Sequence, residues 1–267
     1  MNRMDGKVCV ITGATQGLGA AIARRLAAAG AAGIVITGRN AKKGQAVASA
    51  LPCDAIFVQA DFASVEDCQR MIAEADARFG RVDVLVNAGA STARGTIVDT
   101  TPETFDALFS TNVRGPYFLM QAAIKLMIAR DIQGAICNIG SISALSGQPF
   151  INAYCASKGA LTTLTANTAF SVMGNRIRVN QLNVGWMASD NERALQEAEA
   201  GANWEAAAAA ALPFGRLVDP DEAARAVNFL VSDDAGLMTG AIVNFDQSVW
   251  GAVAGGMPVP DGPMRLA

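Results

Sequence analysis

Two features of this chain of 267 residues bear directly on chemistry. The first is a glycine-rich turn, Thr12-Gly13-Ala14-Thr15-Gln16-Gly17-Leu18-Gly19, which follows a short apolar run and precedes a helical pattern. Glycines there permit a tight turn and close approach of a pyrophosphate to the backbone. The helix N-terminus adds free N–H groups and the positive end of its dipole. The spacing is Gly-x-x-x-Gly-x-Gly rather than the commoner Gly-x-Gly-x-x-Gly. By itself the segment also reads as an ordinary tight turn; its place between strand and helix favours the phosphate reading. The second feature is an absence, for the chain contains no histidine. That excludes Ser-His-Asp hydrolysis, Cys-His proteolysis and histidine-ligated metal chemistry. No metal is expected, and any base must be another side chain.

The elements that would hold such a turn alternate along the chain. Val8-Cys9-Val10-Ile11 is apolar, β-branched and too short for a helix, so it reads as a buried strand. Leu18, Ile22 and Leu26 recur every fourth residue, one face of a helix ending near Gly30. Strands are predicted at Ile34–Ile36, Ile56–Val58, Val82–Val86, Ala135–Ile139, Ile177–Leu182 and Ala241–Phe245. Helices are predicted after Ser64, with Val65, Cys68, Met71, Ile72, Ala75 and Phe79 on the apolar face, and after Thr101, an N-cap followed by a first-turn proline. Two more begin near Asn152 and Pro220. Apolar strands alternating with amphipathic helices imply a parallel sheet covered on both faces. The expected fold is therefore a single Rossmann-type, doubly wound α/β domain with seven parallel strands, spanning residues 1–250. A Gly/Pro-rich tail follows from Gly251, including Gly255, Gly256, Pro258 and Pro260.

Composition narrows the partners. With 51% hydrophobic residues the chain can bury a large core, and its net charge of −3 comes without a basic run, so nucleic acid is not expected. Cys9, Cys53, Cys68, Cys137 and Cys155 form no Cys-x-x-Cys pair, which fits free thiols in a reducing cytoplasm. No signal peptide is apparent, and no apolar run approaches the ~18 residues of a membrane span.

Several ordered motifs resemble the short-chain dehydrogenase/reductase family along nearly the whole chain. Thr12 to Gly19 looks like its cofactor turn, with Gly13, Thr15, Gln16, Gly17, Leu18 and Gly19 as binding positions. Asn87-Ala88-Gly89 is similar to its Asn-Asn-Ala-Gly motif with one Asn missing, and Tyr154-Cys155-Ala156-Ser157-Lys158 to its Tyr-x-x-x-Lys signature. Ser141 stands at its serine position and Asn112, in Ser-Thr-Asn-Val, at its catalytic asparagine. The resemblance implies hydride transfer between a nicotinamide cofactor and a ketone or secondary alcohol. Tyr154 would be the acid/base, Lys158 would hold the nicotinamide ribose, Ser141 would bond the substrate oxygen, and Asn112 would support a water bridging Lys158 to solvent. A phenol near pKa 10 must fall by roughly 3 units to serve as a base near neutrality, and an ammonium on the same helix face is expected to contribute.

The family's NAD-preferring members carry an acid at the end of the second strand; here Gly38 stands there and Arg39 follows. Arg39 can bind a 2′-phosphate, so NADP(H) is favoured over NAD(H), although Gln16 stands where many NADP-preferring relatives place a second basic residue and Arg39 also reads as a solvated loop arginine. The resemblance puts the adenine at Asp61-Phe62 and the carboxamide at Ser189, beside Gly185, with Val184 in place of the usual proline. Residues 189–213 resemble a substrate lid. Trp186, Met187 and Trp204 read either as a pocket wall or as packing. A small polar substrate such as a sugar or polyol is favoured over a 3-oxoacyl thioester, and a dimer or tetramer is expected. NAD-dependent alcohol oxidation, a non-catalytic dinucleotide sensor and a structural module are the competing readings.

Overall fold

The computed structural model describes residues 3–145 and 148–249; the Gly/Pro-rich tail lies outside them. Seven strands form one parallel sheet: β1 (Val8–Ile11), β2 (Gly33–Gly38), β3 (Asp54–Gln59), β4 (Val84–Asn87), β5 (Ala135–Ser141), β6 (Arg178–Val184) and β7 (Ile242–Phe245). Their order is β3-β2-β1-β4-β5-β6-β7. Sequence order reverses between β1 and β4, and such a switch point opens a crevice at the carboxyl ends of the strands.

Strand side chains alternate between two buried layers, because successive residues of a strand point to opposite faces. Cys9, Ile11, Ile34, Ile36, Val84 and Val86 face α1 (Gly17–Ala28) and α9 (Pro220–Val231), where they meet Ile22, Leu26 and Val227. Val10, Val35, Leu85, Ile136 and Val179 face the other way, toward α3 (Val65–Phe79), α5 (Gly115–Ala129) and α6 (Asn152–Val172). Both faces of the central strands are buried, which is why they read as continuous apolar runs.

The capping signals hold. Ser64 accepts the Asp67 N–H at the start of α3, and Thr101 accepts the Thr104 N–H ahead of Pro102 in α4 (Pro102–Phe109). Several strand boundaries differ from expectation. β4 starts at Val84, because Asp83 instead accepts the Val8 N–H and pairs with Arg81. β5 and β6 run on to Ser141 and Val184, since Gly140 and Asn183 stay in register across the pair. A further helix, α2 (Ala41–Ser49), was not anticipated; it buries only Gly44 and Ala48 and so carries almost no apolar periodicity.

Between α4 and α5 the chain widens into a π turn at Ser110–Arg114, which carries Asn112 inward. Beyond β6, α7 (Asp190–Ala200) and α8 (Trp204–Ala210) occupy the predicted lid region, joined by an ion pair between Arg193 and Glu205. Trp204 is buried and packs 5.9 Å from Trp186. Among the described residues, no helix is long and apolar enough to cross a membrane, and all five cysteines are free thiols.

Candidate active site

The glycine turn joins β1 to α1 and is built for close approach. Gly13 and Gly17 have φ of +64° and +54°, in the left-handed region. A Cβ on Gly13 would lie 2.6 Å from the Gly89 Cα, so the turn and the Asn87-Ala88-Gly89 segment touch backbone to backbone. The Thr12 hydroxyl oxygen stitches them together by accepting the Ala88 and Gly89 N–H groups, each at 3.0 Å. A Cβ on Gly19 would sit 2.5 Å from the Gly13 carbonyl oxygen. Leu18 is half-buried against the core, which holds the first turn of α1 to the sheet. The N-terminus of α1 has no side-chain cap and no acid in its first turn, leaving N–H groups and dipole directed at the turn. Asn87 donates to Asn138 at 2.8 Å while its own Oδ1 is buried without a partner. An unoccupied buried acceptor beside a glycine cradle and an uncapped helix fits a dinucleotide.

The residues expected to react lie together where β5 ends. Ser141 is its last residue and is buried; its Oγ accepts the Ser143 N–H at 3.1 Å, and it lines the same cleft as Tyr154. Tyr154 and Lys158 share one face of α6, with the Lys158 Nζ 5.7 Å from the Tyr154 ring centre. That ammonium is 3% exposed and donates to the Ile139 carbonyl at 2.9 Å, so strand β5 anchors both Ser141 and Lys158.

The electrostatics depart from the expected pattern. Burial pushes the Tyr154 phenol up to about 12, against a smaller opposing effect of the Ser141 hydrogen bond. Burial also lowers Lys158 to about 8. The expected fall of the phenol pKa is therefore absent from the protein alone. Desolvation disfavours the charged form of each group, and the Lys158 ammonium is directed at the Ile139 carbonyl.

Asn112 is buried and makes three side-chain hydrogen bonds. Its Nδ2 donates to the Ser91 carbonyl at 2.9 Å and to the Ser157 Oγ at 3.0 Å, and its Oδ1 accepts the Ser91 N–H at 2.8 Å. Ser157 in turn donates to the Tyr154 carbonyl at 2.7 Å. Asn112 thus ties the loop after β4 to the first turns of α6, and its Oδ1 keeps one lone pair beyond the Ser91 bond.

The positions expected to bind the cofactor divide into two sets. Thr15, Gln16, Gly17 and Ser189 line a cleft of about 640 Å³. Ser189 also lines a second cleft, of about 540 Å³, which contains Ser141, Tyr154 and Gly185, so the two adjoin at this residue. The Ser189 hydroxyl additionally caps α7 by accepting the Glu192 N–H at 3.3 Å. Arg39, Asp61 and Phe62 do not line the first cleft. Arg39 and Asp61 are exposed, and the Phe62 ring backs the Gly89 turn, where a Cβ would strike it. On the cleft wall stands a lysine that sequence reasoning missed: Lys43 of α2 donates to the Gln16 Oε1 at 2.6 Å. Asn40 caps that helix through the Lys43 N–H, a polar start signal that could have revealed it. Gly38 packs so that a Cβ would lie 2.6 Å from the Thr15 methyl, so a side chain at the position usual for an acid would require Thr15 to shift.

The substrate-side cleft brings together residues with no sequence motif. Ser143 and Gln148 hydrogen-bond each other on its wall, and Arg94, Phe150, Glu192 and Gln196 complete it. Trp186 and Met187 line it too, whereas Trp204 belongs to the packing beneath.

Comparisons with known proteins agree with this geometry. Residues 13–248 match the family model described as Enoyl-(Acyl carrier protein) reductase. Galactitol 2-dehydrogenase of Agrobacterium fabrum is 31% identical over 254 residues, covering 93% of this chain and 99% of that one. A solved short chain dehydrogenase/reductase family protein superposes with a TM-score of 0.80 at 36% identity, over 92% of this chain and 97% of the other. A 3-oxoacyl (acyl-carrier-protein) reductase from Agrobacterium tumefaciens C58, solved with NADP bound, gives a TM-score of 0.84 at 28% identity, over 91% and 94%. With its seven-stranded parallel sheet and these relatives, the chain belongs to the short-chain dehydrogenase/reductase family of oxidoreductases, which act on CH–OH and keto groups.

Proposed function

We propose that the protein is an NADP(H)-dependent oxidoreductase interconverting a ketone and a secondary alcohol on a small polar substrate of the sugar or polyol kind. The observation that carries this reading is that Ser141 and Tyr154 line one cleft while the buried Lys158 ammonium, anchored to strand β5 at the Ile139 carbonyl, lies 5.7 Å from the Tyr154 ring centre. Gly13, Thr15, Gly17, Gly19 and Asn87–Gly89 would hold the dinucleotide, with Lys158 at its ribose and Gly185 and Ser189 at its nicotinamide. When bound, the cofactor supplies or takes up the hydride. Tyr154 gives its proton to the forming alkoxide or removes it from the alcohol, a role typically worth ~10²–10⁴ in rate. Ser141, preset by the Ser143 N–H, donates to the same oxygen. Lys158 keeps positive charge beneath the phenol, and an oxidised nicotinamide would add to it. Asn112 acts through Ser91 and Ser157 to hold the loop and helix in place.

NADP(H) is favoured because Gly38 leaves no carboxylate to repel a 2′-phosphate, while Arg39 and Lys43 supply cations at the end of β2 and the start of α2. The polar lining of Ser143, Gln148 and Gln196 suits a hydroxylated substrate, as does the activity named for the galactitol-oxidising relative. Helices α7 and α8 would form the lid. Exposed Phe105, Tyr117 and Phe170 on α4, α5 and α6 suit a homo-oligomer, a dimer or tetramer, and the free thiols suit the cytoplasm.

The test is titration of the protein with NADPH and NADH, following tryptophan emission, and then turnover of ketones, ketoses and polyols with the tighter cofactor. Tighter NADPH binding and reduction of a hydroxylated ketone are expected. Tighter NADH binding would reassign Arg39 and Lys43, and binding of neither would overturn the reading.

A further inference from the structure

The substrate-side cleft carries one cation among its described lining residues, Arg94, and one carboxylate, Glu192. Their situations differ. Glu192 is used by the wall: its Oε1 accepts the Trp186 Nε1–H and a Gln196 N–H, each at 2.8 Å. Arg94 is held as a ligand-binding guanidinium would be. Its backbone is fixed relative to Tyr154, because the Gly95 N–H donates to the Phe150 carbonyl at 2.9 Å and the Asn152 N–H to the Gly95 carbonyl at 3.0 Å. These bonds pair its loop with the residues that lead into α6. The guanidinium lies over the Phe150 ring, 5.5 Å from its centre, a face contact that orients the planar group and leaves its N–H edges for hydrogen bonding. One of those edges meets Glu199 of α7 at 3.0 Å, with both side chains more than a third exposed. That pair is a carboxylate on a guanidinium at the cleft, supplied by the predicted lid. A half-exposed ion pair of this kind is cheap to exchange.

We propose that the substrate carries a carboxylate bound by Arg94, and that Glu199 is an internal carboxylate holding that place until substrate displaces it. The inference rests on the oxidoreductase reading above and replaces its neutral sugar or polyol with an acid of that kind, a hydroxy or keto acid. One guanidinium balances a monoanion. The second charge of a phosphate ester would stand uncompensated in a cleft that already holds Glu192, so the carboxylate is the better match. Displacing Glu199 frees the last turn of α7 from Arg94, which couples substrate binding to the position of the lid.

The experiment uses the full chain with saturating NADPH and short keto acids, each compared with its primary amide, its phosphate-ester counterpart and a ketose of matched length. The expected result is a kcat/KM for the acid ~10–100-fold above that for the amide, the range of a charge-assisted hydrogen bond, and expressed mainly in KM. Arg94→Met should collapse the acid-to-amide ratio toward one. Glu199→Gln should raise it severalfold, by removing the competitor. Because a ratio is read within each variant, a general loss of folded enzyme does not imitate either change. Binding provides a second readout without turnover: Trp186 lines the cleft, so its emission should respond to the hydroxy acid at lower concentration than to its amide. Equal kcat/KM for acid and amide, preference for the phosphate ester or the ketose, or an Arg94→Met variant that keeps the discrimination would overturn the proposal. Absence of any turnover together with normal discrimination in the emission titration would instead count against the oxidoreductase reading alone.

Discussion

Lys158→Met tests the electrostatic account of the site, because it should make the protein more stable and inactive at once. In the wild type the ammonium is almost wholly buried, and its pKa falls from the ordinary 10.5 to about 8. At ~1.4 kcal/mol per pH unit, that fall means the fold carries about 3 kcal/mol of unfavourable charge burial at pH 7. Methionine removes the charge with similar volume but leaves the Ile139 carbonyl without its donor, a loss of roughly 1–2 kcal/mol. The net expectation at pH 7 is a gain of about 1–2 kcal/mol, or roughly 2–8 °C in Tm for a domain of this size. The sign then depends on pH. The folded-state pKa is depressed, so between about 8 and 10.5 the unfolded chain holds a proton that the folded chain has lost. Wild-type stability therefore gains from this group as pH rises through that window, and the advantage of Lys158→Met should vanish by about pH 10. The comparison must be a difference between the two proteins. The buried thiols Cys68 and Cys137, pushed up to about 12, and the Tyr154 phenol make both proteins less stable in alkali. Thermal unfolding by circular dichroism at several pH values between 7 and 10 measures this. A variant less stable than wild type at pH 7, with a difference that does not change with pH, would refute the assignment of a strained buried ammonium. Turnover should fall by at least ~10²-fold at every pH.

Three further outcomes follow from the same geometry. Tyr154→Phe should lower kcat by ~10²–10⁴ while leaving the dissociation constant of NADPH within a few-fold, as read by emission quenching; near-normal turnover would remove Tyr154 from the chemistry. Gly13→Ala forces a Cβ against the Gly89 backbone at a φ of +64°, so it should cost about 1–2 kcal/mol of stability from backbone strain alone and weaken dinucleotide binding at least ~10-fold, both measurable by calorimetry. Lys43→Met should raise the dissociation constant for NADPH roughly 5–10-fold and leave that for NADH unchanged, consistent with one lost charge-assisted contact; equal weakening of both would place Lys43 away from a 2′-phosphate.

What sequence alone determined was everything set by short-range pattern. Strand and helix alternation, the capping of α3 and α4, the glycine turn and the order of its motifs depend on local periodicity and residue type, and these survive folding unchanged. Strand ends moved by a few residues, because β5 and β6 extend each other by pairing, which no single segment encodes. Helix α2 went unseen because it lies on the surface, and with it Lys43, whose reach to Gln16 exists only once β2 and α1 are packed side by side. Tertiary structure also decided the chemistry of the named residues. Tyr154 and Lys158 are legible as a pair, yet their pKa values move in directions set by burial, and burial is a property of the assembled layers. The same holds for Arg94. In sequence it is an unremarked basic residue after the fourth strand; only the pairing of Gly95 with Phe150 and the arrival of Glu199 from α7 place a guanidinium in the substrate cleft. Contacts between residues far apart in the chain are what folding creates, so the specificity they confer had to be read from the fold.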